Sequence, residues 1–207
     1  MSSGTRQRLI DGAFETLRTQ GVAGASARTI AATAGVNQGL IFYHFGTVDA
    51  LLAQSCQAAT ARRVAHYRER LAEVGTLREL LALGRELHTE ERELGNVAVL
   101  AQLLAGAQAN ADLAEAARSA LKLWTTEIEH VLTRLVATSP LGDVVDSAGL
   151  AHAVSAGFIG LELYEAADPD GAEAGFAALE QLGVLIEVVD QLGPVARRAL
   201  TAKLRRV

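Results

Sequence analysis

The chain has a single cysteine, Cys56, so no intrachain disulfide can form and a reducing compartment is expected. It has only three prolines, and aromatic residues make up 4% of it. Few helix breakers, together with abundant Ala and Leu, favour helix over strand. There is no sustained apolar–polar alternation, no low-complexity tract and no internal repeat. No run approaches the roughly 18 uncharged apolar residues needed to span a bilayer, so no membrane partner is expected. No basic-then-apolar signal segment opens the chain. The five histidines, His44, His66, His88, His130 and His152, lack metal-ligand spacing, and no phosphate-binding loop is visible. These absences set the expectation of a cytoplasmic protein with neither a metal nor a cofactor.

The 207 residues are half hydrophobic, enough for a real core in one large domain or in a small domain fused to a medium one. The net charge is −5 and is unevenly placed. Residues 1–70 carry eight arginines against four acids, a balance of +4. The remainder carries eleven bases against twenty acids, a balance of −9. A basic head on an acidic body steers polyanions to one end only.

Helical signals run almost throughout. Leu9, Ile10, Ala13, Phe14 and Leu17 recur at helical spacing from about Thr5 to Gln20, and Gly21 stops that helix. Ser26 is placed to cap a short helix over about 27–34, with Ile30, Ala31 and Ala34 inward. Gly35-Val36-Asn37 is a turn signal, and a second short helix follows from about Gln38 to His44. Thr47 can cap a long helix from Val48 toward Glu73. Further helices are expected over about 77–88, 91–108, 110–138, 146–167 and 172–192, with a short basic helix at the end. Ser139-Pro140-Leu141-Gly142 reads as a loop and Asp168-Pro169-Asp170-Gly171 as a turn.

Two short helices joined by a tight turn, after one supporting helix, fit a helix-turn-helix. Gly35 permits the backbone of the turn, Val36 plugs the angle, and small Ala31 lets the helices approach. Asn37, Gln38, Leu40, Tyr43 and His44 are expected on the exposed side, where such groups reach phosphates or base edges. Ile41, Phe42 and Phe45 are expected to pack beneath.

The stretch from Ser26 to Phe45, SARTIAATAGVNQGLIFYHF, followed by Asp49-Ala50-Leu51-Leu52, resembles the signature of the TetR family of transcriptional regulators. The match is dense over about residues 5–52; beyond them only length and all-helical layout agree. The resemblance implies an all-α fold with a three-helix DNA-binding head over residues 1–50 and a helical ligand-binding and dimerisation domain over 51–207. It places Arg28 and Thr29 near phosphates. Gln38, Gly39, Leu40, Tyr43 and His44 fall in or beside the major groove of a near-palindromic operator. Thr47 would offer its hydroxyl and nearby amides to a phosphate. Two positions depart from the pattern: Val48 stands where many members carry Lys, and Gln38 where Lys or Arg is common. Both remove cations, so a shallower salt dependence is expected.

In the helix after Asp146, Gly149, Ala153, Gly157 and Gly160 share a face. Glycine costs roughly 1 kcal/mol per helix position relative to Ala, so close approach of another helix is expected there. With a stripe of Leu179, Leu182, Ile186 and Val189 on the next helix, the pair suits an intersubunit four-helix bundle and a homodimer. By family analogy His66, His88, Trp124, Phe158 and Tyr164 are candidates to line an effector pocket. A small, largely apolar molecule is the expected effector, and the expected mode of action is a repressor that this molecule releases from its operator.

Two other classes were weighed. An enzyme using Cys56 and His66 is disfavoured, because ten residues on one helix separate them by roughly 15 Å. A DNA-binding adaptor whose body binds a protein is compatible with the acidic body and with Arg197, Arg198, Arg205 and Arg206 near the end.

Overall fold

The computed structural model describes residues 2–137, 139 and 145–204. The expected loop at Pro140-Leu141-Gly142 and the arginines Arg205 and Arg206 lie outside the described residues. Among the described residues every regular element is a helix, ten in order: α1 (Ser2–Gly24), α2 (Ala27–Ala34), α3 (Gly39–Phe45), α4 (Val48–Glu73), α5 (Leu77–Glu93), α6 (Asn96–Ala107), α7 (Ala111–Val136), α8 (Ser147–Glu165), α9 (Pro169–Asp190) and α10 (Pro194–Leu204). An all-α architecture is what the composition favoured.

Two compact units result. The first takes the described residues up to His66 together with Glu91–Leu123; the second takes Tyr67–Glu90 and the described residues from Trp124 onward. In the first, α1 packs on α2 and on α6. Its core joins Leu9, Ile10, Ala13 and Leu17 of α1 to Ile30, Ile41, Phe45, Leu51, Val99, Leu103 and Leu113. In the second, α8 packs on α9, and a separate core gathers Tyr67, Leu71, Leu80, Leu83, Val131, Leu132 and Ala151.

Local chemistry explains the helix ends. The Ser26 hydroxyl accepts from Thr29 N at 3.2 Å, and Ser26 N donates to Thr29 Oγ1 at 2.8 Å, a reciprocal cap at the start of α2. Asn110 Oδ1 accepts from Asp112 N at 2.9 Å and opens α7. Asp168 accepts from Gly171 N at 2.9 Å, so Pro169-Asp170-Gly171 forms the first turn of α9 instead of a free-standing turn. The break expected near 88–91 is displaced: α5 continues to Glu93, and the chain turns at Leu94–Gly95. Glu91 is engaged by Arg63 and Asn96, contacts that no local pattern announces.

Gly21 interrupts the end of α1 with φ 71° and ψ 179°. A Cβ there would sit 2.5 Å from Gln102 Oε1, which accepts a 2.7 Å hydrogen bond from Val22 N. The last turn of α1 is thus held by a side chain of α6. Gly12 allows the closest approach of α1 to α2: a Cβ there would lie 2.8 Å from Ala34 Cβ and 3.0 Å from Ala34 Cα and N. Because backbone blocks the site, Gly12→Ala is expected to lose about 1–3 kcal/mol to overpacking, outweighing the roughly 1 kcal/mol that Ala gains in helix propensity. Urea unfolding reads this as a lower midpoint at constant slope; an equal or higher midpoint would mean that α2 shifts away freely.

Candidate DNA-reading face and effector core

The reading face begins with the turn. Gly35 has φ 63° and ψ 41°, a left-handed conformation that glycine adopts without a Cβ penalty. Gly35 N donates to Ala32 O at 3.2 Å and Val36 N to Ala31 O at 3.0 Å, the paired bonds that close a helix and reverse the chain. Val36 packs on the first unit's core. Asn37 Oδ1 accepts from Gly39 N at 2.8 Å and launches α3. Ile41 and Phe45, one turn apart, are 0% and 8% exposed and sink that helix into the core. The opposite side presents Gly39, Phe42 and Tyr43, with Gln38 just before it. Tyr43 is 80% exposed, and the Gln38 side chain makes no capping bond.

Several expected contacts are placed differently. Phe42 is 53% exposed and is no part of the packing beneath α3. It lies about 100° around the helix from Ile41, on the flank away from Leu40, and it is Leu40's flank that the core covers. Leu40, expected outward, is half-buried and packs on the core. His44 is half-buried, with its ring edge-on to Tyr43 at 4.9 Å and to Phe45 at 6.2 Å. The Thr29 hydroxyl accepts from Ser26 N and donates its one proton to Gly24 O at 2.7 Å, so the cap occupies it.

Arg28 is exposed on α2, and among the described residues no ion pair engages it. Thr47 Oγ1 accepts from Ala50 N at 3.0 Å at the start of α4 and keeps its own proton to donate. Asp49, in the first turn of α4, would repel an anion there, but its carboxylate accepts from Asn110 Nδ2 at 3.0 Å. Arg6 and Arg8, exposed on the first turns of α1, are further cations of the head that the motif did not single out. Arg6 donates to Gln54 Oε1 and lies over the Phe45 ring, 5.2 Å from its centroid.

In the second unit the effector candidates separate. His88 is buried, with Nδ1 3.2 Å from Glu162 Oε1 and Nε2 2.7 Å from Glu165 Oε2. Its ring stands against Phe158 and Phe176, whose own centroids are 5.2 Å apart. Beside them Arg85 bonds Glu173, holding that carboxyl below the usual carboxylate range through the hydrogen bond. Trp124 is half-buried against Tyr67 at 6.0 Å. Tyr164 is 52% exposed, and His66, which belongs to the first unit, is exposed on α4, so neither lines an interior.

Residues 9–54 match the family described as bacterial regulatory proteins, tetR family. That segment, which spans most of α1 and all of α2 and α3, is therefore similar to the N-terminal domain of TetR-family transcriptional regulators. An HTH-type transcriptional regulator of Mycobacterium tuberculosis is 27% identical to this chain over 131 residues, 63% of its length and 67% of that protein. A TetR-family regulator from Rhodococcus sp. superposes with a TM-score of 0.71 at 22% identity, covering 91% of this chain and all of that one. FadR from Bacillus subtilis, solved in complex with stearoyl-CoA, superposes with a TM-score of 0.68 at 20% identity, covering 86% of this chain and 97% of that one. The fold shared with these structures is an N-terminal helix-turn-helix followed by a C-terminal helical domain. No helix among the described residues is long and apolar enough to cross a membrane.

The family and its relatives are regulators, not enzymes, and Cys56 fits that role. It is buried, and burial pushes its thiol up to about 11, partly offset by a hydrogen bond with Ser55. Against an ordinary thiol near 8.5, thiolate at neutral pH falls on the order of a hundredfold. Labelling of native protein by a disulfide reagent at pH 7.5 is expected to lag the urea-unfolded chain by at least that factor; equal rates would mean that the α4 core opens readily. Because the folded state holds the thiol proton more tightly, the stabilising contribution is complete below pH 8.5 and is lost as pH climbs toward 11.

Proposed function

We propose that the protein is a homodimeric, cytoplasmic repressor that an effector releases from a near-palindromic operator. Residues 1–50 form the reading head and residues 51–207 the dimerisation and effector domain. The observation that carries this reading is the outward face of α3. A helix sunk by Ile41 and Phe45 holds Gly39 and Tyr43 on the far side and leaves Gln38 exposed at its start, where no core competes for them. Arg28, Asn37 and the Thr47 hydroxyl flank that face and supply donors for phosphates. Thr29 acts through its cap, which fixes the start of α2; His44 and Leu40 set the seating of α3.

Dimerisation is supported by apolar surface left open on α8 and α9. Ala153, Gly157 and Gly160 are exposed, and a Cβ at Gly157 or Gly160 would meet nothing within 4 Å. On α9, Leu182, Leu185 and Val188 are 54%, 61% and 56% exposed. This row shares Leu182 with the expected stripe, but its neighbours are Leu185 and Val188; Leu179, Ile186 and Val189 are half-buried. Single exposed apolar residues are ordinary, whereas a contiguous row marks an interface. A symmetric pairing would present two heads to two half-sites.

The effector is proposed to be small and largely apolar, held in the second unit near His88, Phe158 and Trp124. FadR of the same fold is solved with stearoyl-CoA, whose acyl chain is apolar, and this supports the class. Binding would favour a form of the dimer whose heads no longer match the operator.

A duplex selected by the protein from a random pool tests the head, read by fluorescence anisotropy against a scrambled duplex across a salt series. Tyr43→Ala is expected to weaken operator binding about tenfold and leave scrambled binding unchanged, since a lost base contact is worth roughly 1–3 kcal/mol. Equal losses on both duplexes would make Tyr43 a backbone contact without a reading role. Leu185→Glu is expected to convert the dimer to a monomer by light scattering, with the helical circular dichroism retained. A variant that stays dimeric would place the interface elsewhere.

A further inference from the structure

We infer that Phe42 is a base-reading residue, its ring packing on the 5-methyl group of a thymine in the major groove. The inference rests on the proposal that α3 lies in that groove. Phe42 is 53% exposed on a helix whose other phenylalanine, Phe45, is buried. It therefore contributes little to the core, while leaving a large apolar surface in water. Its ring has neither donor nor acceptor, so it cannot bond a phosphate or the polar edge of a base. The thymine methyl is the one apolar group that base edges display in the major groove.

The neighbours of Phe42 favour this contact. Gly39, one turn earlier, presents no side chain, so the backbone of α3 can approach the duplex closely enough for a ring of modest reach. Tyr43 stands beside it with 80% exposure and can bond a polar edge while Phe42 covers the methyl. Leu40, the apolar side chain of α3 that was expected to face outward, packs on the core instead.

The test uses the selected duplex with each thymine replaced in turn by uracil, which pairs identically but lacks the methyl. Wild-type protein is expected to lose about fourfold in affinity at one thymine in each half-site, corresponding to the roughly 0.8 kcal/mol of a buried methyl-sized group. Phe42→Ala is expected to bind the thymine duplex more weakly and to lose the distinction between thymine and uracil at that position. Its preference for operator over scrambled DNA persists. Because Phe42 is exposed, the melting temperature of the variant is expected to match wild type. Thymine-to-uracil sensitivity that survives Phe42→Ala overturns the inference, as does an operator with no sensitive thymine. Wild-type protein that fails to prefer its selected duplex overturns both the inference and the reading of α3 beneath it.

Discussion

The burial of Ile41 and Phe45 is the constraint on which the head depends. α3 has only seven residues, too short to hold itself in water by backbone hydrogen bonds. Its stability and its orientation come from the same two side chains. A helix anchored on one side turns the opposite side, here Gly39 and Tyr43, to solvent, so the outward face follows from the core. The turn at Gly35 and the close approach at Gly12 set the frame into which those two side chains fit.

The surroundings of this frame show a division of labour among polar groups. Thr29 and Asn37 spend their oxygens on capping, and Asp49 is held by Asn110. The groups left to face a polyanion are donors: Arg28, Gln38, Tyr43 and the proton of Thr47. A head with few cations at its centre must rely on placement of hydrogen bonds and apolar contacts more than on charge. In the second unit the emphasis is reversed. There a buried imidazole stands between two carboxylates, each ring nitrogen within hydrogen-bond distance of one of them.

The helix-turn-helix was legible because it is local. Ser26, Gly35 and Thr47 act on groups within a few residues, and their roles are written in residue type and spacing. Phe42 was misread because aromatic character suggested core, and which flank of α3 the rest of the unit covers, that of Leu40 and not that of Phe42, is a matter of tertiary packing that no local pattern shows. The α5–α6 break was misplaced because Glu91 is held by Arg63, 28 positions away in sequence. Nothing local announces that α6 and the first half of α7 share a core with the head. The effector candidates fared unevenly for the same reason. His88 found partners 74 and 77 positions along the chain, whereas His66 and Tyr164 face outward.

The Gln102 side chain carries one more consequence. Its carbonyl receives the amide of Val22 just beyond the kink at Gly21, where the helical ladder of α1 can no longer supply an acceptor. α6 therefore acts as a handle on the tail of α1. Sliding it by even an ångström or two must either drag the first helix along or strand a half-buried amide. Within the first unit that hydrogen bond adds a directed polar tie to the apolar packing of α6 on α1, at the one point where the backbone of α1 departs from helical geometry.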